Sequence, residues 1–135
     1  MKKTNIRKRS ETSRLLARWA MELSNHLRYK EGWRPDAATR QAWVCQHCLE
    51  ALGRGEAMMM YVKKDGSTRI ARGTLAAGVS EAYDGYEYKD KPDGGIRQSE
   101  DGRWTFCYWD LDEEAFRSFN AARLNDYLEV RRKTR

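Results

Sequence analysis

"WTFCYWDLDEEAFRSFNAARL", residues 104–124, places two runs of alternating apolar character on either side of an acidic turn. Extended-chain parity puts Trp104, Phe106 and Tyr108 on one face of the first run and Thr105, Cys107 and Trp109 on the other. Both faces are substantially apolar, so this strand expects cover on both sides. Asp110, Asp112, Glu113 and Glu114 read as solvated turn residues, "AFRSF" as the returning strand, and "NAARLN" as a tight helical turn leading into a last strand, "DYLEV".

Upstream, "AMMMYVKK-DG-STRIARGTL" reads as two strands joined by the two-residue turn Asp65-Gly66, where both positions can take positive φ. Met58, Met59 and Met60 then alternate into and out of the first strand and fill core on one face. Between this hairpin and the opening stretch lies an excursion, 76–102, rich in Gly, Asp, Glu and Tyr, with a turn at Pro92-Asp93-Gly94-Gly95. Loops of that length tend to be functional or mobile. Five short strands around such an excursion point to a small closed β-barrel of the SH3 or Sm type over residues 57–130.

Before Gly53 the period is helical. Leu16, Trp19 or Ala20, Leu23 and Leu27 line one face of a helix expected over Ser13 to Tyr29, while Arg14, Arg18 and Glu22 occupy the wet side. Gly32 and Pro35 interrupt it. A second helix is expected to open at Asp36 as N-cap, to turn Trp43, Val44, Cys48 and Leu52 inward, and to stop at Gly53. The two form a helical hairpin over 13–54, and Trp19 and Trp43 are the natural cover for the outer face of the Trp104 strand. The fold class is therefore α+β: a two-helix hairpin followed by a five-stranded SH3/Sm-like barrel.

The net charge of +6 is carried by the ends. Lys2, Lys3, Arg7, Lys8 and Arg9 stand in a first segment, 1–12, expected to be a basic disordered tail, and Arg131, Arg132, Lys133 and Arg135 in a last one, 131–135; the other 17 basic side chains face 20 acids. Such tails grip phosphates without regard to sequence, or are ordinary solvated termini. The longest apolar runs fall short of the ~18 residues that a membrane span needs, and "MKKTNIRKRS" has no apolar region behind it, so a cytoplasmic location with no membrane contact is expected.

Catalytic and metal chemistry find little support. Cys45 and Cys48 in "CQHC" have ligand spacing, with His47 and His26 as conceivable additions, but no second Cys-x-x-Cys exists and i, i+3 on a helix simply shares a face. Three cysteines without an export signal read as free thiols. Gly94-Gly95 lacks the lysine and the strand-to-helix context of a phosphate loop. No enzyme and no cofactor is expected.

The spaced residues Trp104, Trp109-Asp110, Phe116-Arg117-Ser118-Phe119 and Arg123-Leu124, with the upstream hairpin "YVKKDGSTR", resemble the core motif of the WYL family, and more closely its small Sm-like, SH3-barrel branch, found in bacteria and their mobile elements. Thr105 and Phe106 stand where the family motif has its tyrosine and leucine. In larger WYL proteins the domain follows a DNA-binding helix-turn-helix and senses a nucleotide or nucleic acid through basic residues on the barrel. The resemblance implies a regulatory binding module here, with Arg69, Arg117 and Arg123 as ligand contacts. Phe119 shares a strand face with Arg117, so a guanidinium could fork onto phosphate while a base stacks on the ring. Equally, Arg117 could pair with Asp110, Asp112 or Glu113 across the hairpin.

Two binding readings follow. In one the barrel arginines and aromatics, helped by the tail cations, take a nucleic acid or nucleotide-like ligand. In the other the barrel edge and the acidic-tyrosine segment "EAYDGYEYKD" recruit a protein partner or a second copy. Sequence-specific DNA reading has little to use, because the second helix offers only Arg40 and Gln41 near its start.

Overall fold

Residues 2–31 contain neither glycine nor proline and are rich in Lys, Arg and Glu, so nothing stops a helix there. In the computed structural model, which describes residues 2–86, 96–98 and 102–131 apart from the side chains of 2–13 and 97, helix α1 spans Lys2–Tyr29. It thus begins inside the segment expected to be a tail. Leu16, Ala20, Leu23 and Leu27 are buried along one stripe, while Arg14, Arg18 and Glu22 stay exposed. Full burial of a leucine such as Leu23 or Leu27 contributes about 1.5–3 kcal/mol.

Helix α2 spans Pro35–Arg54. Its N-cap is Arg34 rather than Asp36, because Pro35 takes the first helical position, where its missing N–H costs nothing. Its C-cap is Gly55 rather than Gly53. Ala38, Ala42, Cys45, Cys48, Leu49 and Leu52 form the buried stripe that receives α1 on one side and the sheet on the other.

An antiparallel sheet follows: β1 Glu56–Val62, β2 Thr68–Thr74, β3 Ile96–Gln98, β4 Trp104–Asp110, β5 Ala115–Asn120 and β6 Leu124–Val130, with the short helix α3 Glu81–Asp84 after β2 and a 3-10 turn Ala121–Arg123 before β6. β1 lies between β2 and β6; β4 pairs with β2, β3 and β5. The strand not foreseen, β3, falls within the excursion and pairs Ile96 with Phe106. The expected Pro92–Gly95 turn lies outside the described residues.

The sheet does not close into a barrel. Among the described residues no register joins β5 to β6; the 3-10 turn separates them, and α2 fills that opening. Gln41 Nε2 donates to both Ala121 O and Leu124 O at 2.9 Å, and Cys45 Sγ to Ala121 O at 3.3 Å. At the other end of α2, Leu75 N donates to Leu52 O, and the fully buried Thr74 donates its hydroxyl to Gly55 O at 2.6 Å. One core therefore runs from Leu16 of α1 to Phe106 and Tyr108 of β4.

The outer face of β4 is covered otherwise than expected. Trp43 stays 62 % exposed. Trp109 is instead enclosed by Tyr83 and Tyr86, at and just after α3, and by Phe116, with ring centroids 5.0–5.5 Å away. Ser80 fixes that segment by accepting from Tyr83 N.

Candidate functional site

The β1–β2 connection is one residue longer than the expected two-residue turn at Asp65-Gly66. Gly66 N donates to Lys63 O and Lys63 N to Ser67 O, and Gly66 takes φ +88° while Asp65 does not enter the left-handed region. This is a four-residue turn followed by a glycine bulge, the arrangement that matches strand twist when only one residue needs positive φ. Asp65 Oδ1 accepts from the Ser67 amide and hydroxyl, which holds its carboxyl below the usual range. The turn thereby presents Lys63 and Lys64 at the mouth of the hairpin, with Arg69 on β2 opposite Tyr61.

The 3-10 turn brings a further cation to the same place. Asn120 Oδ1 accepts from Ala122 N at 3.0 Å, bending the chain so that Arg123 reaches the hairpin, where its Nη1 donates to Lys63 O at 3.0 Å. Arg103, at the entry to β4, completes the set. Together these residues surround a cleft of about 460 Å³, lined by Tyr61, Val62, Lys63, Lys64, Arg69, Arg103, Ser118, Phe119, Asn120 and Arg123. Among the described residues that line it, five are cations and none is a carboxylate. Charges of one sign around a concavity focus the field and favour an anionic occupant.

Polar contacts lead inward from Arg69. Its guanidinium lies against the Tyr61 side chain, the main cause that pushes its pKa up, and the Tyr61 hydroxyl is 2.8 Å from that of Tyr108. Burial, and then this hydroxyl contact, raise the Tyr108 phenol well above its ordinary value. Tyr108 keeps its proton and lies with Tyr61 beneath the cationic rim.

Of the residues singled out from the sequence, Arg69, Phe119 and Arg123 line this cleft and Arg117 does not. Arg117 Nε sits 3.0 Å from Asp110 Oδ2, and its Nη2 3.9 Å from Glu113. Asp110 is only 4 % exposed and its Oδ1 accepts from Asp112 N and Glu113 N, so Arg117 serves the acidic turn instead of a ligand. Phe119 lines the cleft without offering a ring face, because Tyr61 stacks on it at 3.8 Å and 5°, and Phe106 covers it at 4.9 Å and 22°. The expected stacking of a base on Phe119 is therefore blocked by packing.

Lys63, Lys64 and Arg103 were missed. The available signal was positional: a hairpin turn and the turn after "AFRSF" must meet at one end of such a sheet, and all three residues stand at strand ends there. The side chains of Lys2, Lys3, Arg7, Lys8 and Arg9 lie outside the described residues, so their expected phosphate contacts are not placed.

The "CQHC" segment is core. Cys45 and Cys48 are fully buried, burial pushes the Cys45 thiol up to about 12, and Cys48 also rises. His47 Nδ1 lies 3.0 Å from Glu50 on the same helix. Among the described residues no group of three His, Cys, Asp or Glu could hold a metal ion, and no helix is long and apolar enough to cross a membrane. Gln41, one of two polar candidates for reading bases, is committed to the 3-10 turn.

A family model described as WYL_2, Sm-like SH3 beta-barrel fold, matches residues 45–125, from the middle of α2 to the start of β6. The match spans every residue that lines the cleft. No curated protein and no solved structure matches the chain.

Proposed function

The chain belongs to the WYL_2 family of Sm-like SH3 beta-barrel fold, and from that premise we propose that it is a non-catalytic, regulatory binding module whose basic cleft takes an anionic ligand, a nucleic acid or a nucleotide. The observation that carries this reading is the cleft itself, with Lys63, Lys64, Arg69, Arg103 and Arg123 around one hollow and no carboxylate among the described residues that line it. Guanidinium groups suit phosphate because their donors form a planar fork. Arg123 already uses one donor on Lys63 O, which fixes it at the rim and reduces the entropy lost on binding.

The test is fluorescence anisotropy with short single- and double-stranded DNA and RNA at two salt concentrations, comparing wild type with Arg69→Ala/Arg123→Ala. Binding that weakens with salt and drops about tenfold or more in the variant supports the reading. Binding that the variant leaves unchanged would move the site elsewhere.

A second reading, a protein-interaction or assembly module, is favoured by a different surface. Met60 on β1 and Ile70 on β2 are exposed opposite each other, Leu128 on β6 is exposed opposite Met58, and among the described residues β6 pairs with β1 alone. Of the acidic-tyrosine segment, residues 81–86 pack Tyr83 and Tyr86 against Trp109 and Phe116, and residues 87–90 lie outside the described residues. This reading calls for salt-tolerant, concentration-dependent association, measured by analytical ultracentrifugation, and no oligonucleotide binding.

A further inference from the structure

The described residues that line the cleft present a narrow chemistry. Base recognition in single strands uses open ring faces for stacking and side-chain amides or carboxylates for the base edges. Among the described lining residues two carry rings, Tyr61 and Phe119, and they are 2 % and 7 % exposed. They are stacked on each other, with Phe106 behind Phe119 and the Tyr61 hydroxyl turned to Tyr108. Among the described lining residues Asn120 carries the one side-chain amide, and its oxygen is already spent on Ala122 N. What these residues offer at the surface is a set of cations, the Asn120 Nδ2 donors and the hydroxyl of the exposed Ser118, groups that all donate to an oxygen.

We infer that the cleft reads a chain of phosphate groups through their oxygens alone and is indifferent to the bases they carry. This rests on the anion-binding reading above and narrows it. Cations on separate segments, Lys63 and Lys64 in the hairpin turn, Arg69 on β2 and Arg123 in the 3-10 turn, suit several phosphates in succession better than one terminal phosphate. A linear phosphate chain has two sources, the phosphodiester backbone of a single-stranded nucleic acid and free polyphosphate, and both present the same oxygens.

The test measures the full chain and its Arg69→Ala/Arg123→Ala variant against three labelled probes of equal length, about a dozen phosphates each. One is an oligothymidylate, one a guanine-containing oligonucleotide and one an abasic phosphodiester; unlabelled polyphosphate serves as competitor. The expected result is equal affinity for all three probes within about threefold, with the variant weakening all of them by the same factor. Loss of even one stacked base would weaken the abasic probe about fivefold or more. An abasic probe that binds that much more weakly, or a guanine probe that binds about tenfold more tightly, overturns base indifference. The anion-binding reading would survive that result, provided the variant still loses affinity.

Displacement by polyphosphate at equal phosphate concentration shows that bare phosphate suffices; failure to displace assigns recognition to the sugar-phosphate backbone. Both results keep phosphates as the recognised groups. No binding of any probe, or equal binding by the variant, overturns the anion-binding reading itself. The far-UV circular dichroism of the variant must match wild type, and Lys64→Ala, an exposed side chain, repeats the measurement with a milder change.

Discussion

Arg117→Ala separates a structural arginine from a ligand-binding one. The substitution removes the cation 3.0 Å from Asp110, a carboxylate that is 4 % exposed. Breaking a fully buried pair by deleting one partner costs about 3–5 kcal/mol. Two features reduce that here. The Arg117 side chain is 33 % exposed, so water screens part of the interaction, and Asp110 keeps its two backbone donors, Asp112 N and Glu113 N, at 2.9 and 3.0 Å. The expected loss is therefore about 1–3 kcal/mol. In urea unfolding, with a slope of about 2 kcal/mol per molar, the midpoint falls by about 0.5–1.5 M with the slope unchanged. Oligonucleotide affinity, measured well below that midpoint, stays within about twofold of wild type, because Arg117 does not line the cleft. A variant as stable as wild type but weakened in binding would refute this assignment and return Arg117 to the ligand site.

Three other perturbations probe the parts of the fold that hold the cleft in place. Gln41→Leu keeps the volume but leaves Ala121 O and Leu124 O without their donor, so stability drops by about 1–3 kcal/mol in urea unfolding; an unchanged midpoint would mean that α2 does not secure the 3-10 turn. Gly73→Ala places a Cβ 2.7 Å from the Met59 methyl and from Cδ2 of the Tyr108 ring and 3.2 Å from Trp109 O, where β2 crosses to β4, and costs about 1–3 kcal/mol, readable as a lowered thermal midpoint. The Cys45 thiol is raised in the folded state from 9.0 to about 12, so its contribution to stability is intact below pH 9 and is lost as pH climbs from there towards 12. Urea midpoints measured from pH 8 to 11 should fall above pH 9, and the fall should lessen in Cys45→Ala.

Much of the architecture was legible because local rules and tertiary packing agree. The leucine stripe of α1, the hairpin signal at Asp65-Gly66 and the alternation in residues 104–110 each specify one element, and burial in the structure follows that pattern. The departures have identifiable causes. Parity states that the outer face of β4 needs cover but not which segment supplies it, and Tyr83 and Tyr86, in a stretch without strong periodicity, do so in place of Trp43. Closure of the sheet depends on whether β5 and β6 pair or are separated, and the "NAARL" turn with Gln41 against it separates them; an amide in a helix carries no mark of a partner about 80 residues away.

The site divides in the same way. A shared strand face suggested that Arg117 and Phe119 act together, yet Asp110 claims the first and Tyr61 with Phe106 enclose the second. Cations at strand ends were harder to see, because Lys63, Lys64 and Arg103 become neighbours only once the hairpin and the 3-10 turn meet.

The salt dependence of binding decides whether the cleft is the anion site. Each phosphate contact on a single strand contributes about 0.7 to the slope of log affinity against log salt concentration. Replacing Arg69 and Arg123 together should therefore lower the magnitude of that slope by about 1.4 for a single-stranded oligonucleotide, along with the affinity. A slope and an affinity identical to those of wild type would contradict the cleft as the anion site.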